Sequence, residues 1–180
     1  MLTTEENLRP SSLKDIAAKM LTAARTAPKA RGIDNLVLAV ATGETIRLIS
    51  DKMKEIGNSK ENYKFFLRDA ENILNAEAVV LIASKVKANG LNCGLCGYAN
   101  CAEKNQVPKA PCAFNTNDLG IAIGSAVSIA ADNRADNRIM FSVGIAVRAL
   151  RLMGDEAAII FGIPLSASGK SPFFDRNFPK

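Results

Sequence analysis

The chain has 180 residues, 48% of them hydrophobic and 23% charged, so it is long enough for one domain with a sizeable core. Its net charge of +5 comes from 23 basic residues scattered among 18 acidic ones, with aromatics at only 6%, which argues against a nucleic-acid-binding stripe. Histidine is absent, and this excludes Ser-His-Asp and Cys-His catalysis as well as zinc sites built on imidazole.

The opening segment MLTTEENLRP carries acidic residues where a signal peptide is basic, and no apolar stretch follows it. No apolar run approaches the roughly 20 residues of a membrane span. A cytoplasmic protein without membrane contact is expected.

A first helix is expected to begin at Ser11–Ser12, with Ser12 as N-cap and Asp15 three residues on. Leu13, Ile16, Ala17, Met20, Leu21 and Ala24 then fall on one face. Pro28 and Gly32 break the pattern inside a basic loop. Leu36–Ala41 reads as a short buried strand, and Thr42 is placed to cap a second helix ending near Ile56 at Gly57–Asn58. A third amphipathic segment runs from Glu61 to Asn75, followed by a second buried strand over Ala78–Ala83.

From Lys87 to Asn117 the periodicity disappears. This stretch holds Gly90, Gly94, Gly97, Pro108 and Pro111 together with all four cysteines, and reads as a cysteine-rich insert within a single domain spanning 1–180. Two small-residue helices are expected next, over Asp118–Ala131 and Arg138–Met153, the first with Gly120, Gly124 and Ser128 on one face. That face suits either core packing or a buried dimer seam. Ala157–Gly162 is a third buried strand before a loop-like tail. Alternating helices and short strands indicate an α/β or α+β layered domain.

The cysteines are spaced C-x2-C-x4-C-x10-C at Cys93, Cys96, Cys101 and Cys112, all within 20 residues. A compact inorganic cluster needs several ligands from one tight turn. Gly94 and Gly97 permit positive φ there and let backbone N–H groups approach the sulfurs. The pattern points to an iron–sulfur cluster, [4Fe–4S] ahead of [2Fe–2S], although it matches neither of two common ferredoxin spacings. Structural zinc is the rival, but all-cysteine zinc sites usually present two C-x2-C pairs, and the second pair here has ten residues between its members. A disulfide does not suit a reducing compartment. Tyr98 is placed to shield the site or to fill space.

Gly169–Lys170–Ser171 looks like the end of a phosphate-binding loop. Pro164 stands where that motif needs its first glycine, and no helical pattern follows. The segment reads instead as a tail that packs on a neighbour through Phe173 and Phe174.

AARTAPKARGIDN at 23–35, NCGLCGYANC at 92–101, DNRIMFSVG at 136–144 and SGKSPFFDR at 168–176 together make the chain resemble a prokaryotic family of ferredoxin-domain-containing proteins. The resemblance implies a [4Fe–4S] cluster on Cys93, Cys96, Cys101 and Cys112, in an electron-transfer or redox role with an unknown partner. A weaker likeness joins AARTAPKARGIDN, LGIAIGSAVSIA and AIIFGIP to the nitroreductase-type flavoenzymes. It implies an α+β layered sandwich, a homodimer, and FMN near Arg25, Lys29 and Arg31, in an oxidoreductase whose cluster relays electrons. The basic N-terminal stretch that holds the flavin in those enzymes has no counterpart in Leu8-Arg9-Pro10-Ser11-Ser12.

Overall fold

The computed structural model describes residues 1–59 and 61–175. Its elements are α1 (Glu5–Thr26), β1 (Leu36–Ala41), α2 (Glu44–Ser59), α3 (Phe65–Ile73), β2 (Ala78–Lys85), α4 (Cys101–Asn105), α5 (Ala113–Asp132), β3 (Asp136–Asn137), α6 (Phe141–Ala149) and β4 (Ala157–Ser166). The strands form one antiparallel sheet in the order β1-β2-β4-β3.

The sheet lies between two layers of helices, and β2 shows why. Its alternate residues Ala78, Val80 and Ile82 pack toward α1 and α5, while Val79, Leu81 and Ala83 pack toward α2, α3 and α6. Successive side chains of a strand point to opposite faces, so a strand covered on both sides is apolar throughout rather than alternating. β1 lies at the sheet edge and is only half-buried over its middle four residues, so its apolar run is less enclosed than its sequence indicates.

The apolar face expected of α1 is present, with Leu13, Ala17, Met20 and Ala24 buried. Its start differs. The helix begins at Glu5 rather than at Ser12 and runs through Pro10. Glu5 and Glu6 suit the positive end of the helix dipole, while Pro10, the sixth residue, removes the backbone donor that would otherwise bond the Glu6 carbonyl.

α2 likewise passes its expected stop and includes Gly57. A Cβ there would lie 3.0 Å from Leu67 Cδ2, so this glycine serves the close approach of α2 to the start of α3.

The largest difference lies at Arg138–Met153, expected to be one helix. Only Phe141–Ala149 is helical. Met140 and Gly162 exchange both backbone hydrogen bonds, at 2.8 and 3.0 Å, and Asp136–Asn137 pairs with Leu165–Ser166 of β4. The free edge of β4 therefore draws these residues into extended structure, tertiary pairing overriding helical periodicity.

α6 then lies directly on β4. A Cβ on Gly144 would sit 1.7 Å from the Ile160 carbonyl oxygen, and one on Gly162 would sit 2.2 Å from Val143 Cγ1. By contrast, a Cβ on Gly120 or Gly124 would meet nothing within 4 Å, and their face of α5 is exposed. Core packing is therefore not what this face does within the chain.

The tail also packs inward. Phe173 is fully buried, and its carbonyl accepts from Asn72 Nδ2 (3.2 Å) and Arg138 Nη1 (2.9 Å). Phe174 is exposed, with the Arg138 guanidinium 5.4 Å from its ring centre. Lys170 pairs with Asp175, and Arg176 lies outside the described residues. Among the described residues no helix is long and apolar enough to cross a membrane.

Candidate metal centre

β2 ends at Lys85, and the chain runs through the cysteine segment before entering α5 at Ala113. The structure brings Cys93, Cys96, Cys101 and Cys112 to the wall of one cavity, shared with Asn89, Tyr98, Lys104 and Phe114. None is in a disulfide. Cys93 is exposed, Cys96 and Cys101 are half-buried, and Cys112 is buried at the mouth of α5. Burial thus increases along the quartet, because Cys112 is fixed by a helix packed on the sheet while Cys93 and Cys96 sit on a surface turn.

That turn is closed by local bonds. Gly97 N–H donates to the Gly94 carbonyl at 3.0 Å, and the two glycines adopt φ of +85° and +71°. L residues with a Cβ rarely take such values.

Asn92, itself at φ +48°, pinches the turn's two ends together. Its Oδ1 accepts from the Cys101 N–H at 2.9 Å, and its own N–H donates to Cys101 Sγ at 3.4 Å. The glycine N–H groups were the expected sulfur donors; the one found among the described residues belongs to Asn92. The short helix α4 is capped by Asn100, whose Oδ1 accepts from Glu103 N–H at 2.9 Å, while Glu103 Oε2 accepts from Ala99 N–H at 2.8 Å. These are reciprocal caps, and they hold Cys101 at the start of α4.

Behind the cavity lies a buried amide cluster. Asn89 Oδ1 accepts from Asn35 Nδ2 at 2.9 Å and from Asn115 Nδ2 at 3.4 Å. Asn89 Nδ2 is buried with no partner. An orphaned amide donor is costly, and here it belongs to a residue lining the cavity. Lys104 is also buried on this wall. An unpaired buried amide donor and a buried lysine beside four thiols make a chemically coherent cradle for an anionic, sulfur-ligated group. Among the described residues, no three Cys, Asp or Glu side chains converge tightly enough to hold a single metal ion.

The three residues near the expected flavin are each engaged elsewhere. Arg25 Nη1 pairs with Asp34 and donates to the Leu36 carbonyl at 3.2 Å. Partial burial pushes the Asp34 carboxyl up, but the Arg25 guanidinium and the Leu36 N–H outweigh it and hold the group below its usual value. Lys29 Nζ donates to the carbonyls of Ala24, Arg25 and Ala27, closing the C-terminal end of α1. Arg31, at φ +58°, donates from Nη1 to the Asn89 carbonyl at 2.9 Å. Each is held by a different set of partners, and Arg31 joins the first loop to the cysteine segment.

Sequence reasoning missed Asn89, Asn92 and Lys104. Asn92 carried a signal, since asparagine beside a cysteine-glycine turn tolerates positive φ. Asn89 and Lys104 carried none, because a polar residue among charged neighbours looks solvated until the chain is folded around it.

The fold and site define an α+β sandwich with a cysteine-lined cavity at the junction of sheet and helix. It has the nitroreductase fold. Nitroreductase CinD from Lactococcus lactis superposes with a TM-score of 0.62 at 13% identity, over 93% of this chain and 84% of that one. A nitroreductase family protein from Clostridium novyi gives 0.59 at 15%, over 86% and 74%. A BluB-like flavoprotein from Clostridium difficile gives 0.54 at 19%, over 100% and 86%.

In sequence, residues 109–176 match the family described as uncharacterized proteins containing a ferredoxin domain. A protein of Archaeoglobus fulgidus is 39% identical over 184 residues, covering 98% of each chain. The chain belongs to this ferredoxin-domain family. The matched span includes Cys112 and stops short of the other three cysteines.

Proposed function

We propose that this protein holds a [4Fe–4S] cluster on Cys93, Cys96, Cys101 and Cys112 and serves in electron transfer. The single observation that carries the reading is the gathering of all four cysteines on one cavity. The ferredoxin-domain family supports it. When bound, such a cluster supplies one-electron redox chemistry.

The chain's own residues would bind and shield it. Cys112 fixes one ligand to the rigid sheet–helix junction, and the Asn92 clasp sets Cys101 against the Cys93–Cys96 turn. The Asn92 N–H at Cys101 Sγ is the kind of dipole that stabilises added negative charge and raises a potential. Tyr98 and Phe114 line the cavity and limit water. Cys93, the exposed member, marks the side from which a redox partner would approach. A single zinc ion on the same four thiolates is the rival reading, and metal and sulfide analysis separates the two. A cytoplasmic site is consistent with four free thiols kept reduced.

Two extensions go with this reading. The exposed Gly120–Gly124–Ser128 face of α5, which also carries exposed Ile121, offers a seam for a second copy and hence a homodimer. Fold neighbours described as a flavoprotein and as an oxidoreductase containing FMN support FMN as a second cofactor; near Arg25 its phosphate would have to compete with Asp34.

The test is iron and acid-labile sulfide analysis, with visible spectra, on anaerobically purified protein. The reading expects a broad visible absorption that bleaches on reduction, and a flavin band only if FMN is bound. Cys96→Ser should abolish or badly impair incorporation, because a serine oxygen is a poorly matched ligand. A colourless, folded protein with one zinc and no sulfide would overturn the proposal.

A further inference from the structure

We infer that Lys104 is the internal counter-charge of the cysteine-held group: a cation on a buried side chain that balances its negative charge and favours its reduced state. The inference rests on the cluster reading above and deepens it.

Lys104 follows Cys101 by three residues on α4, which places both on one face of that helical turn and on the same cavity wall. It is only 2% exposed, and among the described residues no hydrogen bond or ion pair engages its ammonium. Its neighbour Glu103 is exposed, its Oε2 accepts from the Ala99 N–H at 2.8 Å, and among the described residues no ion pair joins it to Lys104.

Lysine is almost never fully buried unless paired. A cation taken out of water without a partner is unfavourable for the chain on its own. What the cavity offers instead is four thiols. As thiolates around a [4Fe–4S]²⁺ core they sum to a charge of about −2, and one more electron makes the site still more negative. A fixed positive charge on the wall of a largely enclosed cavity acts at low effective dielectric. It favours loading, and it favours the reduced over the oxidised state. Asn89 Nδ2, a buried donor without a partner on a residue of the same wall, acts in the same direction.

The experiment uses the full chain, prepared and reconstituted anaerobically, as the unaltered protein, Lys104→Met and Lys104→Arg. Without iron, the Met variant should melt higher than the unaltered protein, because it has lost a buried charge. With the cluster loaded, its midpoint potential should be more negative by at least a tenfold shift in the oxidised-to-reduced ratio, which is about 59 mV for one electron. Lys104→Arg keeps the charge and should stay within a third of that shift. Failure of the Met variant to load, with loading restored in the Arg variant, also supports the assignment. If the Met variant does not fold, Lys104→Gln is scored in its place.

Equal potentials in the unaltered protein and the Met variant overturn the role of Lys104 and leave the cluster standing. So does failure of both Met and Arg variants to load. An unaltered protein that takes up neither iron nor sulfide removes the cluster reading and this inference together.

Discussion

Replacing Gly144 by alanine adds one methyl group at the tightest helix–strand contact in the chain. The new Cβ would lie 1.7 Å from the Ile160 carbonyl oxygen, 2.4 Å from its carbon and 3.2 Å from the Phe161 nitrogen. An ordinary contact needs about twice the first of these distances. All three atoms belong to the backbone of β4, so no side chain can rotate away. α6 must instead lift off the sheet by roughly 1.5 Å, opening the layer where Val143, Ala146 and Val147 are buried. Overpacking of this kind costs about 1–3 kcal/mol, and a backbone clash belongs at the upper end. For a chain of this size about 3 kcal/mol lowers Tm by roughly 6–12 °C.

The assay is thermal unfolding followed by circular dichroism, with Gly124→Ala as the control. Gly124 is also a helical glycine, but a Cβ there meets nothing within 4 Å. The control should gain about 0.8–1 kcal/mol from helix propensity. Equal melting of Gly144→Ala and the unaltered protein would refute the argument that backbone contact sets this packing.

Asp69 offers a second test. Its buried carboxylate accepts from Arg68, Arg138 and Ser142, the last at 2.7 Å, joining α3 to α6 and to the tail. Asp69→Ala should lose about 2–3 kcal/mol, read by urea unfolding, because the Ser142 hydroxyl is left buried and unpaired. Asp34→Asn should cost under about 1 kcal/mol at neutral pH, since its pair with Arg25 is partly exposed. The Asp34 pKa is lowered on folding, so its contribution is present above the unfolded carboxylate pKa and is lost as pH falls through the folded one. The two proteins should therefore converge in stability in strong acid; a gap that widens there would contradict the assignment. Asn92→Ala removes the Oδ1 bond to the Cys101 N–H. With the proposed cluster loaded, the variant should release iron to a chelator faster than the unaltered protein, while an equal rate would show that the clasp does not organise the turn.

Much of the fold is legible in the residue pattern, and the exceptions share a cause. The buried face of α1, the strand at Ala78 and the layered α+β class follow from apolar spacing, which local geometry turns directly into a face or a run. The strand-like Arg138–Met140 is different. Nothing local opposes a helix there; the free edge of β4 does, and that edge exists only once β2 and β4 have paired. The extra turns at the start of α1 and the end of α2 have a similar origin. Pro10 and Gly57 are helix breakers by propensity, yet α1 continues through Pro10 at the loss of one backbone bond, and Gly57 faces Leu67 across a contact that needs a missing Cβ.

The sequence alone determined the chemistry available to this protein. With no histidine and four cysteines crowded into 20 residues, a metal held by soft ligands must be held through sulfur, and the crowded thiols are the clustered choice. What only the tertiary structure decided is which further residues share that site, and which glycines matter. Gly124 and Gly144 look alike in sequence, since both sit among small apolar residues in a helix. One faces open space and the other touches a strand's backbone. Lys104 belongs to the cavity only because α4 turns it inward beside Cys101. Spacing along the chain fixes what a residue can do chemically, but contact and burial are properties of distant segments meeting, and no short stretch of sequence contains them.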